Sequence, residues 1–269
     1  MRIFSGALLL SLLTACATVP ITGRQQLSLI PSSSLMSMSY QQYGDFLKTN
    51  KLSSDKANSD EVKRVGARIQ GAVERYFQQV GHSDQLQGYQ WEFNLVENKE
   101  VNAWCMPGGK VVVYSGILPV AKGEPGLAVV MGHEIAHAIA GHGSERMSQE
   151  MLAQFGEVAL STAMSQQPDQ TRQLWMSVYG VGAQYGALLP YGRLQESEAD
   201  RLGLVFMAMA GYDLHEAVTF WERMASMKGG QKPPEFLSTH PSDATRIEEI
   251  KKLIPEAMGY YAGTPAGSH

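Results

Sequence analysis

Two histidines four positions apart, with a glutamate directly after the first, constrain this chain more than any other feature. Residues His133–His137 read H-E-x-x-H. On a helix, positions i and i+4 lie on one face, so both imidazoles reach the same metal ion. Glu134 then lies beside them, where it can take a proton from a water molecule. Residues 127–140 are almost continuously apolar around the motif, which predicts a buried helix. The alternative is a core helix whose two histidines only hydrogen-bond.

A catalytic zinc ion takes three protein ligands and keeps one position open for water, so a third ligand is required. Residues 193–204 predict a helix on which Glu196 and Asp200 lie four apart on one face. We interpret Glu196 as the third ligand. Asp200 would accept a hydrogen bond from a ligating histidine and so fix its tautomer. The alternative is that the acidic residues of this segment form a solvated face with its two arginines.

Three motifs together carry a family resemblance. They are Gly132–His137, the Glu-x-x-Ala-Asp run at Glu196–Asp200, and Ser238–Pro241, with Arg246 six residues beyond His240. In this order the sequence resembles the zinc endopeptidases related to HtpX and the CAAX prenyl proteases. Within that family it is similar to small bacterial lipoprotein members that resemble BepA without its repeat domain. The resemblance extends from about Pro20 to Pro255.

The resemblance implies a fold and a set of roles. The fold is α+β and mainly helical, a zincin-like (gluzincin) metallopeptidase domain with a small β-sheet lining the cleft. One Zn²⁺ per chain would be bound by His133, His137 and Glu196, with Glu134 as general base and Asp200 behind the ligands.

His240 has three possible roles. The resemblance places it near the reacting water, with Arg246 behind it, where both could stabilise an oxyanion. Alternatively, His240 occupies the open metal position and keeps the enzyme latent. The third possibility is a loop histidine without a catalytic part, ahead of a helix capped by Ser242 or Asp243. His142 and His215 are expected to be structural or surface residues.

The sheet is predicted from two segments rich in β-branched and aromatic residues, Trp91–Val96 and Lys110–Tyr114. We expect Lys110–Tyr114 to be an extended edge strand that favours long peptides. The resemblance implies that the segment between the strands shapes the edge over the cleft, where a peptide can add as an extra strand. Its candidate substrate-binding residues are Asn102, Ala103, Pro107, Gly108 and Gly109. The alternative is a plain hairpin without substrate contact.

The N-terminus predicts the compartment. Residues 3–13 are mostly apolar behind Arg2, a stretch too short to span a bilayer and typical of a signal peptide. Leu13–Cys16 resembles the bacterial lipobox, so Cys16 would become a lipid-modified first residue carrying acyl chains such as palmitate. Ala17 favours the outer membrane, which predicts an anchor in its inner leaflet facing the periplasm. The alternative is an ordinary secretory signal followed by a coincidental cysteine.

Composition fits a folded domain held at a membrane. The chain has 44% hydrophobic residues, and removal of residues 1–15 changes its net charge from −4 to −5. No basic patch indicates nucleic-acid binding. The predicted organisation is a signal peptide at 1–15, a lipidated lead-in at 16–57, a metallopeptidase domain at 58–261 and a disordered tail at 262–269. Of the two cysteines, Cys105 would remain as a single thiol, and we expect it to be buried.

Two further helical regions are predicted. Asn58-x-x-Glu61 resembles a capping box that opens a long helix to about Val80. Residues 144–164 and 171–189 have helical patterns separated by Gln166–Asp169. This pair is expected to form either a mobile wall or lid over the cleft, or a plain pair of core helices. Pro20–Arg24 also resembles the lipoprotein relatives.

These observations predict a membrane-anchored zinc endopeptidase that hydrolyses misfolded or mistargeted cell-envelope proteins. Outer-membrane assembly machinery is a candidate partner, and no nucleic acid is expected. Two alternatives remain: a lipoprotein chaperone or assembly factor with a latent metallopeptidase fold, and a hydrolase of small peptides or non-protein amides. One departure from the family is Gly126, where relatives often have an acidic residue before the zinc helix.

Overall fold

A computed structural model describes residues 16–19, 22–184, 188–227, 234–241 and 244–261. The predicted signal peptide at 1–15, the tail at 262–269 and the predicted capping residues Ser242 and Asp243 lie outside the described residues.

Helices predominate in the described chain, as predicted for a mainly helical α+β protein. The helices are α1 Ser32–Thr49, α2 Lys56–Gln79, α3 Leu118–Ala121, α4 Glu124–Ile139, α5 His142–Ala163, α6 Asp169–Ala183, α7 Leu189–Met209, α8 His215–Ser226, α9 Glu235–Thr239 and α10 Ala244–Met258. The strands are β1 Cys16–Thr18, β2 Gln25–Leu27, β3 Glu92–Val96, β4 Ala103–Met106 and β5 Lys110–Tyr114. Short 3₁₀ turns occupy Ser83–Leu86 and Ser115–Ile117.

The chain divides into two compact units. The first contains residues 1–35 and 140–196, and the second contains residues 36–139 and 197–269. The boundary falls within helix α7, between Glu196 and Ser197.

The first unit consists of a two-stranded hairpin, α5, α6 and the start of α7. Strands β1 and β2 pair antiparallel, with Cys16 opposite Leu27. Helices α5 and α6 are in contact, since the Tyr179 hydroxyl donates to the Ala153 carbonyl oxygen at 2.8 Å. None of the residues of α6 is buried, so the prediction of a plain pair of core helices is wrong. Large apolar side chains are exposed on both helices: Met151, Leu152, Phe155, Val158, Leu174, Trp175, Val178 and Val181.

The second unit contains a three-stranded sheet in the order β3-β5-β4. Strands β3 and β5 are parallel, and β4 is antiparallel to β5. Both predicted strands are present, but Lys110–Tyr114 is the central strand and not an edge. The reason is that Ala103–Met106 forms a strand of its own and turns back through Pro107–Gly109 to pair with β5. The edge beside this turn is therefore β4.

Helix α4 is the centre of the second unit, as the apolar run predicts. Every residue from Gly126 to His137 is buried. The helix ends before Gly141, whose φ of +71° is the left-handed conformation that glycine adopts without strain. A Cβ atom at Gly126 would overlap the Ala121 carbonyl oxygen. The acidic residue of relatives therefore cannot be accommodated here without a backbone shift.

Helix α2 begins earlier than the sequence suggests. It starts at Lys56, and the Asp55 side chain accepts a hydrogen bond from the backbone N–H of Asn58 at 3.1 Å. The predicted cap at Asn58 is wrong, because Asp55 has the extended conformation of a helix cap and Asn58 is already helical. The predicted end near Val80 is confirmed.

Candidate metal centre

The H-E-x-x-H motif lies on α4, where its side chains are shielded from solvent. His133, Glu134 and His137 are only 2%, 5% and 6% exposed. On the side facing α7, the motif is covered because the backbones of Gly132 and Gly203 approach each other closely. A Cβ atom at Gly203 would lie 3.1 Å from the backbone nitrogen of His133. The two helices therefore cross with their backbones nearly in contact.

Three imidazole nitrogens converge beside α4. His133 Nε2 lies 3.0 Å from His137 Nε2 and 3.2 Å from His240 Nδ1. Each pair of ring nitrogens can share at most one proton. Nitrogens bound to one tetrahedral zinc ion at about 2.0 Å are separated by roughly 3.3 Å. The observed spacing therefore suits a shared metal ion.

Helix α7 supplies Asp200, which holds His133 from behind. The Asp200 carboxylate lies 3.0 Å from His133 Nδ1. It also accepts two hydrogen bonds from Arg246 of α10, both at 2.8 Å. Burial opposes ionisation of this carboxyl, but Arg246 and His133 outweigh it and hold the pKa of Asp200 below its ordinary value. A hydrogen bond from Nδ1 to this carboxylate would leave the Nε2 lone pair of His133 available to a metal ion; this role of Asp200 stays a prediction.

Glu196 completes a set of four potential ligands. It lies one turn before Asp200 on the unbroken helix α7. Ligand atoms of His133, His137, Glu196 and His240 all lie within 4.8 Å of one another. Three imidazoles and one carboxylate are donors that zinc prefers, so the residues present fit this ion. Their individual roles as ligands stay predictions.

His240 is fixed beside Glu134. Its backbone N–H donates to Phe236 at the start of α9, and the N–H of Phe236 donates to the Val101 carbonyl oxygen just before β4. The ring is buried, and its Nε2 lies 3.3 Å from the Glu134 carboxylate. Because its other nitrogen faces His133, His240 bridges the potential ligands and the predicted general base. Of the three roles considered, the loop histidine without a part in the site fits this placement least well.

Arg246 has its donors directed at neighbouring residues. Besides its two bonds to Asp200, its Nη1 donates to the Pro241 carbonyl oxygen at 2.9 Å. These contacts connect α10 to both the Asp200 carboxylate and the loop that carries His240. They favour a positioning role for Arg246 over direct contact with an oxyanion.

Two aromatic residues near the site were missed by sequence reasoning. The Arg246 guanidinium stacks over Trp221 of α8, with 3.6 Å between Cζ and the ring centroid. The His133 ring meets the same Trp221 edge to face, with centroids 5.7 Å apart. The Phe236 ring lies against the His240 ring, with centroids 4.6 Å apart. Both aromatic residues are fully buried, and an apolar run in the sequence does not distinguish such residues from other core positions.

The predicted substrate-binding residues occupy two different settings. Asn102 and Ala103 lie where β4 begins, and the Asn102 carbonyl oxygen accepts from Tyr114. Pro107, Gly108 and Gly109 form the turn, where the carbonyl oxygens of both glycines accept hydrogen bonds from the β3 side of the sheet. The turn is thus engaged inside the protein, and substrate contact at these five residues stays a prediction.

Cys105 lies on β4 near the predicted base. It is a free thiol. Burial, together with the negative charge of Glu134, raises the pKa of this thiol well above its ordinary value. The residue is only half-buried, so the prediction of a buried cysteine is met only in part.

The two histidines set aside in the sequence do not join the cluster. His142 is the buried first residue of α5, five positions after His137. His215 is exposed at the start of α8 beside Asp213. These placements agree with the expectation that both are structural or surface residues.

A buried H-E-x-x-H helix crossing a second acidic helix, beside a small sheet, defines a zincin-like metallopeptidase domain. Residues 64–254 match peptidase family M48, and the chain belongs to this family. This confirms the family resemblance seen in the motifs.

Several curated proteins are similar to this chain. The mitochondrial metalloendopeptidase OMA1 of Schizosaccharomyces pombe is 39% identical over 169 residues, covering 62% of this chain and 48% of that protein. Human OMA1 is 32% identical over 247 residues, covering 89% of this chain and 46% of that protein. The β-barrel assembly-enhancing protease of Yersinia pestis is 31% identical over 165 residues, which cover 60% of this chain and 34% of that protein. The chain thus spans about half the length of its OMA1 relatives or less.

The lengths and apolar character of the helices show whether any of them could cross a membrane. Within the described residues, none combines the length and the apolar character needed to cross a bilayer. The predicted lipid attachment at Cys16 is a separate matter, and the structure places this residue at the start of β1.

Proposed function

We propose that this protein is a zinc-dependent endopeptidase, anchored to a bacterial membrane by lipid on Cys16, that hydrolyses misfolded or mistargeted envelope proteins. The observation that carries the proposal is the cluster of His133, His137, Glu196 and His240 beside the Glu134 carboxylate, in which the three histidines are buried and Glu196 is half-buried. Family membership and relatives named metalloendopeptidases, which are mitochondrial, support the reaction. The relative named β-barrel assembly-enhancing protease, from Yersinia pestis, supports the bacterial setting.

The chemistry divides between the metal ion and the protein. When bound, zinc supplies a Lewis acid that polarises the scissile carbonyl and makes water more acidic. Glu134 accepts the proton of the attacking water and later delivers a proton to the leaving amine. Its burial keeps competing solvent away from the carboxylate. His133 is held in one tautomer by Asp200, so its Nε2 stays directed at the metal position.

An extended substrate can bind along β4. One side of this strand pairs with β5, and within the described residues no strand pairs with its other side. Backbone groups of a polypeptide can therefore add to β4 in extended form. Strand β4 packs against helix α4, so it runs beside the helix that carries the predicted base. This arrangement favours unfolded polypeptide over dipeptides as substrate.

His240 gives the proposed enzyme a resting state. Its Nδ1 lies among the potential ligand atoms and its Nε2 lies near Glu134. If Nδ1 bound the metal ion, the ring would occupy the position that a water molecule needs. Displacement of the short segment carrying His240 would open the site to water and substrate.

The test of the proposed function is digestion of casein by the purified protein. The wild type should cleave casein, and a chelator should abolish cleavage. Glu134→Gln should retain zinc and lose turnover, whereas Glu196→Gln should lose zinc affinity. A folded, zinc-loaded wild type that leaves casein intact but hydrolyses dipeptides would sink the endopeptidase assignment. If it hydrolyses neither, cleavage by His240→Ala would establish latency, and continued inactivity would favour the chaperone reading.

The proposed anchor has a test of its own. Cells grown with labelled fatty acid should label the wild-type protein and leave Cys16→Ser unlabelled. Equal labelling of both proteins would remove Cys16 as the attachment site without affecting the proposed reaction.

A further inference from the structure

A buried carboxylate outside the metal cluster lies in the first unit, on the first turn of α5. Glu145 is 1% exposed. Both terminal nitrogens of Arg24 donate to its two oxygens, each at 2.8 Å. A bidentate pair of this kind fixes both the distance and the orientation of the two side chains. Arg24 comes from the N-terminal segment, just before β2. It ends the Pro20–Arg24 motif, for which the proposed reaction gives no role.

The same carboxylate holds the helix that carries Glu196. Gln195 Nε2 donates to Glu145 Oε2 at 2.8 Å, and Gln195 is itself 1% exposed. Gln195 directly precedes Glu196 on α7. One carboxylate therefore connects the N-terminal segment to the residue adjacent to the predicted third ligand.

The N-terminal hairpin is attached to the same region at two further points. Gln26 Nε2 donates to the Ala140 carbonyl oxygen at 2.8 Å. The backbone N–H of Leu29 donates to the Ser148 hydroxyl of α5 at 3.0 Å. These bonds, both inside the first unit, keep Arg24 in register with Glu145. The N-terminal segment is thus attached just before α5, at Ala140, and within α5, at Ser148, on either side of Glu145.

Such a connection matters because metal ligands must be held within about 0.5 Å of their productive positions. Groups that orient a ligand typically change metal affinity about 10- to 100-fold when removed. A buried carboxylate that serves an arginine and a glutamine at once cannot shift without breaking one of these bonds. The position of Glu145 is therefore transmitted to Gln195, in the second turn of α7.

We propose that Arg24, Glu145 and Gln195 act as a positioning relay that sets the orientation of Glu196 for metal binding. The relay gives the N-terminal hairpin a role in holding Glu196, and Arg24 is the residue of the Pro20–Arg24 motif that supplies it. The inference rests on the proposed metal-dependent function. All three relay residues are positioning residues, since none of them lies in the ligand cluster.

The test measures zinc affinity and not activity. In Gln195→Leu, which keeps the side-chain bulk and removes the amide, the zinc dissociation constant should rise about tenfold in competition with a coloured chelator. Arg24→Met should give a similar rise and Arg24→Lys a smaller one, because lysine restores the charge but not the paired bonds. The visible spectrum of the Co²⁺-substituted protein should also change in Gln195→Leu, because it reports the ligand geometry.

Two controls separate the relay from a general loss of structure. Arg172→Met removes an exposed ion pair with Asp169 on α6 of the same unit and should leave zinc affinity unchanged. Thermal melting of the zinc-free proteins shows whether each variant folds. If Arg24→Met does not fold, Glu145→Gln is a milder change that tests the same ion pair. Folded relay variants with wild-type zinc affinity and an unchanged Co²⁺ spectrum would overturn the relay alone. A wild type without zinc affinity would instead overturn the proposed function on which the relay rests.

Discussion

At the scale of single residues, the site depends on a chain of contacts behind the potential ligands. The Asp200 carboxylate contacts the His133 ring and accepts hydrogen bonds from Arg246. The Arg246 guanidinium in turn stacks on Trp221. All four side chains are buried. An unpaired charge in the interior costs desolvation free energy, so the buried guanidinium and the buried carboxylate each depend on the other as a partner. The ligand histidine gains a fixed tautomer from this arrangement.

Asp200→Asn should therefore weaken zinc binding. The amide cannot balance the Arg246 charge and accepts a weaker hydrogen bond from His133. We expect the zinc dissociation constant to rise about 10- to 100-fold, measured by chelator competition. Asp213→Asn, at an exposed position beside His215, serves as the matched control and should have no effect. Unchanged affinity in Asp200→Asn would contradict a role for this carboxylate behind His133.

Cys105 is expected to react slowly with alkylating agents. Only the thiolate is nucleophilic. Because burial and the charge of Glu134 raise the pKa of this thiol, less thiolate is present at pH 8 than in an unfolded chain. The alkylation rate of Cys105, followed by mass spectrometry, should therefore stay low through pH 8 and 9 and rise on unfolding. A native rate equal to the unfolded rate at pH 8 would contradict the raised pKa.

At the scale of elements, the crossing of α4 and α7 brings the two motif helices together. The contact is made by Gly132 and Gly203, with backbone atoms in place of side chains. This close approach lets Asp200, one turn before Gly203, reach the His133 ring. The glycine three positions after Asp200 is thus as much a part of the site's construction as the acidic residues of the same helix.

Gly203→Ala should separate the two helices. Its Cβ would meet the backbone of Gly132 and His133 at 3.1 to 3.3 Å, where neither chain can yield easily. We expect a loss of about 1 to 3 kcal/mol in the free energy of unfolding, together with weaker zinc binding. Both are measurable, by urea denaturation and by chelator competition.

Gly192→Ala is the matched control on the same helix. A Cβ there meets nothing within 4 Å. Because alanine favours a helix over glycine, this variant should be stabilised by about 0.5 to 1 kcal/mol. If both variants behave alike, the close approach at Gly203 does not limit the crossing.

At the scale of the whole molecule, residues of separate segments form the candidate metal site. His133 and His137 come from α4, Glu196 from α7 and His240 from the turn after α9. A bound ion would connect these elements, and zinc at about 1,000 times its dissociation constant would add about 4 kcal/mol to stability. For a protein of this size that corresponds to a rise in Tm on the order of 10 °C.

Removal of zinc should lower Tm by a similar amount. Differential scanning calorimetry with excess zinc and with a chelator measures the difference directly. Glu134→Gln should show the same zinc-dependent shift as the wild type, because it keeps the ligands. Glu196→Gln should lose much of the shift, and equal Tm values for the wild type in zinc and in chelator would rule out a stabilising ion.

Much of the site was predictable because helical spacing is a local property. The four-residue spacing of His133 with His137, and of Glu196 with Asp200, places each pair on one face whatever the rest of the chain does. The β-branched runs likewise predicted β3 and β5. Strand β4 was missed because Ala103–Met106 is short and lacks the alternation that marks a strand. Only its pairing with β5 makes it extended.

The sequence by itself determined the donor types, their order on two helices and the family to which the chain belongs. Only the tertiary structure decided that Gly203 sets the helix crossing, that Trp221 supports Arg246, and that Glu145 connects Arg24 to Gln195. The physical reason is that the 3.6-residue periodicity of a helix can be read from residues within a single segment of the sequence. Contacts between residues 50 or 121 positions apart depend instead on how the segments pack.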